Sequence, residues 1–391
     1  MSVPRYNPYQ FVPFPAEVPR SLLPVMAGHD RTGAKGLYTG TLRCEIAPET
    51  PILMLSRDGR APSQLPASSL RGMVRAVTEI AGQGCGGFIG NPEMKFRDSK
   101  GGGAGRPPVV SWTEGARFPH AGNEPCHKVP ENQEIIEAAE KGKQPVDWTQ
   151  LKLCRSCAIF GFALEQACWR GRVRFSAGRL HPGAWRQYDP ANDPSQEMPL
   201  RSPMPHHLEH YFTDAVWNPY TMRQGDRIYE AGTMAGRKVY LHHNAPGQKP
   251  APMKVRFRDA TAWMAGQACR FRFDIGFRNL RMEELGLVMF ATDLERPGAS
   301  ARLRHHYGYA KPAGWGSIRI HAECVVETGG WYDGYDTRMN VGKPNIDSVK
   351  NAFFKNRDTA AGDWAAFEEW LRFPGTERLR YPTLSELRGG W

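Results

Sequence analysis

Residues 269–294 read CRFRFDIGFRNLRMEELGLVMFATDL, and the hydrophobic period changes partway along. Phe271, Phe273, Ile275 and Phe277 alternate with polar residues, which puts all four on one face of a half-buried strand. From Met282 the pattern becomes that of an amphipathic helix, with Glu283 and Glu284 as capping carboxylates in its first turn. Working outward, GLYTGTLRCEI from Gly36 and GRVRFSAG at 171–178 read as strands, as does KVRFR at 254–258. Between the first two, LPASSLRGMVRAVTEIAG at 65–82 carries Leu70, Met73, Val74, Val77 and Ile80 at helical spacing, with Ser68 or Ser69 as N-cap. Downstream, GYAKPAGWGSIRIHAECVV at 308–326 reads as a glycine-rich loop entering a strand. The order strand, helix, strands, helix, strand predicts an α+β chain with a ferredoxin-like βαββαβ core. That core spans 36–330, with polar, irregular insertions at about 82–165 and 180–250. The first insertion should hold a helix near 131–141. A proline-rich arm (1–35) precedes the core, and an extension (331–391) with a helix at 363–372 follows.

Composition narrows the function classes. The 391 residues are 40% hydrophobic, enough for a sizeable core, and carry a net charge of +11. Many of the cations sit beside rings, as in RVRF, KVRFR and CRFRF. Cations that hold phosphates next to rings that stack on bases are what single-stranded RNA binding requires. No apolar run approaches the roughly 18 residues of a membrane span. The first residues lack the charged start and apolar stretch of a secretory signal, so a cytoplasmic protein is expected. No GxxxxGK[ST] phosphate loop is present, and HHLEH at 206–210 is not the HExxH zinc signature.

Three constellations carry chemistry. The start of the 65–82 helix offers Ser68, Ser69 and free backbone N–H groups to an anion, and Arg71 and Arg75 reach the same place. The alternative is an ordinary capped helix with solvated arginines. In the 308–320 loop, Lys311 supplies charge, Tyr309 or Trp315 a stacking face, and Gly308, Gly314 and Gly316 allow close backbone approach. A plain hairpin turn would use the same glycines. Cys154 and Cys157 form a C-x-x-C pair, a spacing that lets two thiolates bind one Zn²⁺. Cys126 with His120 completes four ligands, His127 being the substitute and Cys85 in GCGGF an outside possibility. Buried, metal-free thiols are the competing expectation.

Taken together these segments resemble the CRISPR RAMP superfamily. LPASSLRGMVRAVTE resembles its "PGSSLRG" helix start, GYAKPAGWGSIRI its C-terminal glycine-rich loop, CRSCAIFG its C-x-x-C-x-x-FG segment and GRVRFSAG the strand after it. YNPYQFVPFPAEV, HDRTGAKGLYTGTL, LRSPMPHHLEHYF, AGRKVYLHH and FRNLRMEELGLVMFATDL are similar to the type III-D branch of backbone subunits, or the derived type VII systems. The resemblance implies a thumb hairpin in 201–243 and copies of the chain stacked along a guide RNA. Target RNA and other effector subunits, including a possible separate nuclease, would be its partners. It implies guide contacts at Ser68, Ser69, Arg71, Arg75, Tyr309 and Lys311, and thumb contacts at Arg201, Met204, Arg237, Lys238 and His242. A zinc knuckle is common among such subunits. Many type III relatives also cut target RNA with an Asp in the loop before the helix. Here that loop is short and its one acidic residue is Asp58, followed by Gly59, a pair that equally closes a turn.

Overall fold

In the computed structural model the alternating stretch forms one long strand, and Phe271, Phe273, Ile275 and Phe277 are all buried. The structure describes residues 9–23, 36–87, 94–97, 110–114, 118–120, 122–142, 145–163, 168–188, 198–199, 211–213, 216–223, 226–230, 232–242, 253–254, 261–327 and 341–374. Arg201 and Met204 lie outside the described residues, as do most of the KVRFR stretch and 331–340. The elements that position the site are strands β1 (Tyr9–Val12), β2 (Leu37–Pro48) and β3 (Ile52–Ser56), and helices α1 (Ala67–Ala81), α2 (Pro130–Lys141) and α3 (Arg155–Phe160). They continue with β4 (Val173–Phe175), β5 (Arg237–Tyr240), β6 (Thr261–Ala265), β7 (Phe271–Arg281), α4 (Met282–Asp293), β8 (Ser317–Glu327), α5 (Ile346–Phe354) and α6 (Gly362–Leu371).

The central sheet runs β4–β7–β2–β8, every neighbour antiparallel, with His305–His306 paired to the outer edge of β8. Its register aligns apolar rows: Phe271 with Ile46 and Ile320, Ile275 with Leu42 and Cys324. Those rows form one face, on which α1 and α4 pack to make the main core. The opposite face is polar. Arg43, Arg272, Asp274, Arg319, His321 and Glu323 are exposed there, and among the described residues it presents no Phe, Tyr or Trp. Opposite charges facing each other across strands, such as Arg272 and Glu45 at 3.1 Å, support the pairing.

Helix α1 follows its predicted stripe, with Leu70, Val74, Val77 and Ile80 buried. Its start differs from expectation. Pro66 is the N-cap, its carbonyl accepting from the N–H groups of Ser69 and Leu70, and no side chain caps the helix. Ser68 and Ser69 therefore lie inside the first turn. Helix α4 is not amphipathic: every residue from Glu284 to Asp293 is buried. The sheet covers one side, and α5 and α6 of the C-terminal extension cover the other. Phe290 stacks on Phe353 and Trp364 with centroids 6.2 and 5.8 Å away. Lys350 of α5 pairs with Asp293 at 2.6 Å. Glu284 accepts from the N–H of Arg281 and pairs with buried Arg172.

The insertions are not independent of each other. A hairpin, Val216–Arg223 with Asp226–Glu230, lies where the thumb was expected, and it pairs in parallel with Val110–Glu114 of the first insertion. Helix α2 matches the expectation near 131–141. No helix among the described residues is long and apolar enough to cross a membrane.

Candidate functional site

The start of α1 and the glycine loop before β8, separated by more than two hundred residues in sequence, line one cavity of about 790 Å³. Ser69, Met73, Arg75, Glu79 and Ile80 of α1 form one wall, and Tyr307, Gly308, Tyr309 and Lys311 another. Arg237, Lys238 and Tyr240 of β5, Met54 of β3 and Trp370 of α6 complete it. The loop is held in place by its own backbone. Tyr309 donates its N–H to Leu53 O at 2.8 Å, and a short turn at Lys311–Ala313 reverses the chain. Gly308 and Gly316 have φ of +85° and +75°, and a Cβ on Gly316 would meet Tyr307 O at 1.8 Å. These glycines serve close approach within the chain rather than approach by a ligand. Of the two candidate rings, Tyr309 is 42% exposed and Trp315 is buried.

The electrostatics are cationic and partly desolvated. Burial lowers Lys311, and it pulls Lys238 down to about 8. The Lys238 ammonium donates to the Tyr211 hydroxyl at 2.6 Å and lies 4.0, 5.2 and 5.6 Å from the rings of Tyr9, Tyr211 and Tyr240. Because β1 pairs with β5, the N-terminal arm supplies one side of this cage. The Tyr307 hydroxyl is buried beside that of Ser69, and burial pushes its pKa up to about 12. Cations, an exposed ring and apolar walls suit a phosphate-bearing ligand with a planar, partly apolar part.

Other predicted residues are placed differently. Arg71 donates to Phe160 O and lies 5.7 Å from the Phe160 ring, outside the cavity lining. His242 is buried, its ring nitrogens 2.7 Å from Ser317 Oγ and 3.0 Å from Arg304 O, so it does not face a ligand. It stacks at 3.6 Å on His306, which does line the cavity. Ser68 is not among the lining residues. Asp58 is exposed and accepts from the Ser56 hydroxyl and the N–H of Arg60, the latter at 3.1 Å, with Gly59 at φ +71°. It closes a turn, and these bonds hold its carboxyl below the usual carboxylate range.

Beyond the far end of α1 a second centre forms. The Sγ atoms of Cys85, Cys126, Cys154 and Cys157 lie within 4.8 Å of one another, all buried. His120 is exposed and His127 packs its ring 6.0 Å from Phe162; neither belongs to the cluster, and Cys85 takes the fourth place. The correction has a local cause. Helix α1 ends at Ala81 with Gly82 as its C-cap, Gln83 takes φ of +53°, and the turn brings Cys85 back toward α3. Glycines on both sides of Cys85 were the available signal. Cys85 Sγ is 3.6 Å from that of Cys157 and 3.7 Å from that of Cys154. Four sulfurs at a Zn–S distance of about 2.3 Å in a tetrahedron stand about 3.8 Å apart, so the set fits a metal ion. It does not fit a disulfide, which requires about 2 Å. Cys154 caps α3, its sulfur accepting from the N–H of Cys157, while the N–H of Cys154 donates to Cys126 Sγ at 3.2 Å. Such N–H donors stabilise thiolates, and the sulfur contacts and hydrogen bonds at Cys154 lower its pKa well below an ordinary thiol.

No family profile matches the chain, and no curated protein matches it in sequence. Among solved structures, the Csm3–Csm4 subcomplex of the type III-A CRISPR-Cas interference complex is similar at a TM-score of 0.28 and 12% identity, covering 82% of this chain and 98% of that one. Csc2 from Thermofilum pendens is similar at a TM-score of 0.29 and 12% identity, covering 85% of this chain and 76% of that one.

Proposed function

We propose that this chain is a guide-RNA-binding backbone subunit of a CRISPR effector complex, related to the RAMP superfamily and oligomerising along its guide. One observation carries the proposal: the helix start bearing Ser69 and Arg75 and the loop bearing Tyr309 and Lys311 share a single cationic cavity. Those are the segments whose motifs resemble the superfamily, and their meeting was not implied by composition. The antiparallel order β4–β7–β2–β8, with two helices on one face, supports a ferredoxin-like core. The sugar–phosphate chain would lie across Arg75, Arg237, Lys238 and Lys311, with Tyr309 under a base and the Tyr307 and Ser69 hydroxyls beside the backbone. Binding by these groups reads shape and charge, leaving the guide's sequence free to pair with target RNA. The four cysteines would hold a structural zinc, which adds folding free energy to a polar insertion with little core of its own.

Cleavage of the target is assigned to a partner nuclease, as in the type VII systems. Asp58 is committed to its turn, and the β3–α1 loop is short. The competing proposal, a metal-dependent endoribonuclease using Asp58, predicts that Asp58→Ala abolishes cutting by the assembled complex; unchanged cutting is expected.

The test of binding is recovery of RNA with the purified complex, followed by sequencing. Repeat-derived tags are expected, and a random sample of cellular RNA would overturn the assignment. With four cations and the Glu79 carboxylate leaving three net charges to neutralise phosphates of a single strand, log affinity should fall with log salt at a slope of about −2. An affinity flat in salt would count equally against it.

A further inference from the structure

The cations around α1 are tied to the cysteine-bearing segments as well as to the cavity. Arg75 Nη1 is 3.3 Å from Gly161 O, at the end of the helix that starts at Cys154. Arg237 Nη2 is 2.6 Å from Cys85 O and 3.4 Å from Gly84 O. Arg71 reaches Phe160 O. Between the first two arginines sits the carboxylate of Glu79, 2.8 Å from Arg75 Nε and hydrogen-bonded to Arg237, with only 8% of its side chain exposed. Arg75, Glu79 and Arg237 all line the cavity.

We infer that the four-cysteine centre and the RNA cavity are coupled through this Arg75–Glu79–Arg237 bridge, so that metal and RNA each raise the other's affinity. The inference rests on the proposed RNA site and on metal occupancy of the cysteines. Its physics is preorganisation. A guanidinium has five N–H donors in a fixed fork, so bonds from some of them to carbonyls and Glu79 fix the orientation and charge position of the whole group. The carbonyls of Cys85, Phe160 and Gly161 stay put only while their segments do, and a metal bound to Cys85, Cys154 and Cys157 fixes all of them. Without it, the two arginines must be ordered when RNA binds, at a cost in affinity. Glu79 is a positioning residue here: it is not one of the four cluster residues, and it aligns both cations. Coupling of this kind typically lies in the range of about 5- to 150-fold and is reciprocal.

The experiment uses the full chain, Zn²⁺ with a competing chromogenic chelator, and single-stranded oligouridine of guide length. RNA should raise the apparent zinc affinity about tenfold, and zinc-loaded protein should bind the same RNA about tenfold more tightly than chelator-stripped protein. Glu79→Gln should keep one equivalent of zinc and bind RNA more weakly, with the coupling ratio falling to about one, because the bridge is cut while the ligands stay. If stripping zinc merely unfolds the chain, RNA would still promote zinc uptake, but Glu79→Gln would then retain the coupling; that result overturns the inference. So does RNA binding that is tight and indifferent to zinc in the native sequence. Absence of RNA binding in any salt would instead sink the proposed function itself.

Discussion

Lys238 stands out among the cavity's cations because three phenol rings and a hydroxyl surround it. Burial pulls its pKa to about 8 from 10.5. Between those values the folded chain binds fewer protons than the unfolded one, so this residue's contribution to stability grows as pH rises through the window. The charge offered to RNA moves the other way and is lost as pH climbs past about 8. RNA affinity should therefore weaken between pH 7 and pH 9. In Lys238→Arg the fall should be smaller, since a guanidinium keeps its proton throughout and only Lys311, also lowered by burial, is left to lose charge. Anisotropy titrations across that range decide the point, and a native affinity independent of pH would mean that Lys238 takes no part. The cage itself was not legible in the sequence, because Tyr9 and Tyr240 meet only when β1 pairs with β5, and Tyr211 joins them only through the Phe212–Met234 bridge and the Ala235 N–H donated to Tyr211 O.

Elements differ in how far sequence alone specifies them. The stripe on α1 and the alternation on β7 were legible because each element has one wet and one dry face, so polarity repeats at the backbone's own period. Helix α4 obscured its environment. Its second dry side is created by α5 and α6, more than fifty residues later, and no local period encodes a partner that far away. The cavity's walls were legible as motifs, whereas Arg237 bonding to Cys85 O and Arg75 to Gly161 O depend on where two loops return. Within α4 the critical contact is Glu284 with Arg172, side chains 4% and 3% exposed. Glu284→Ala leaves a buried guanidinium unpaired and should cost about 3–5 kcal/mol. Chemical denaturation would read this as a lower midpoint with an unchanged slope. A loss below about 1 kcal/mol would show that water reaches the arginine.

At the scale of the whole molecule, the proposed RNA cavity lies beside the sheet rather than on it. The open sheet face carries a checkerboard of charge and, among its described residues, no Phe, Tyr or Trp on which bases could stack. Tyr309→Ala should accordingly weaken RNA binding by about 1–3 kcal/mol, the usual worth of one stacked base. His321→Ala, on the open face, should change it by well under 1 kcal/mol, as surface substitutions away from a site do. Equal losses in both would move the interface onto the sheet. The two-sided burial of α4 has a practical corollary for anyone shortening this chain. A version ending at Glu327 would lose the Phe353, Trp364 and Phe367 rings packed on Phe290, and the Trp370 wall of the cavity with them. Left wet, that greasy flank should drive the fragment into aggregates, so the last helices belong to the minimal folding unit.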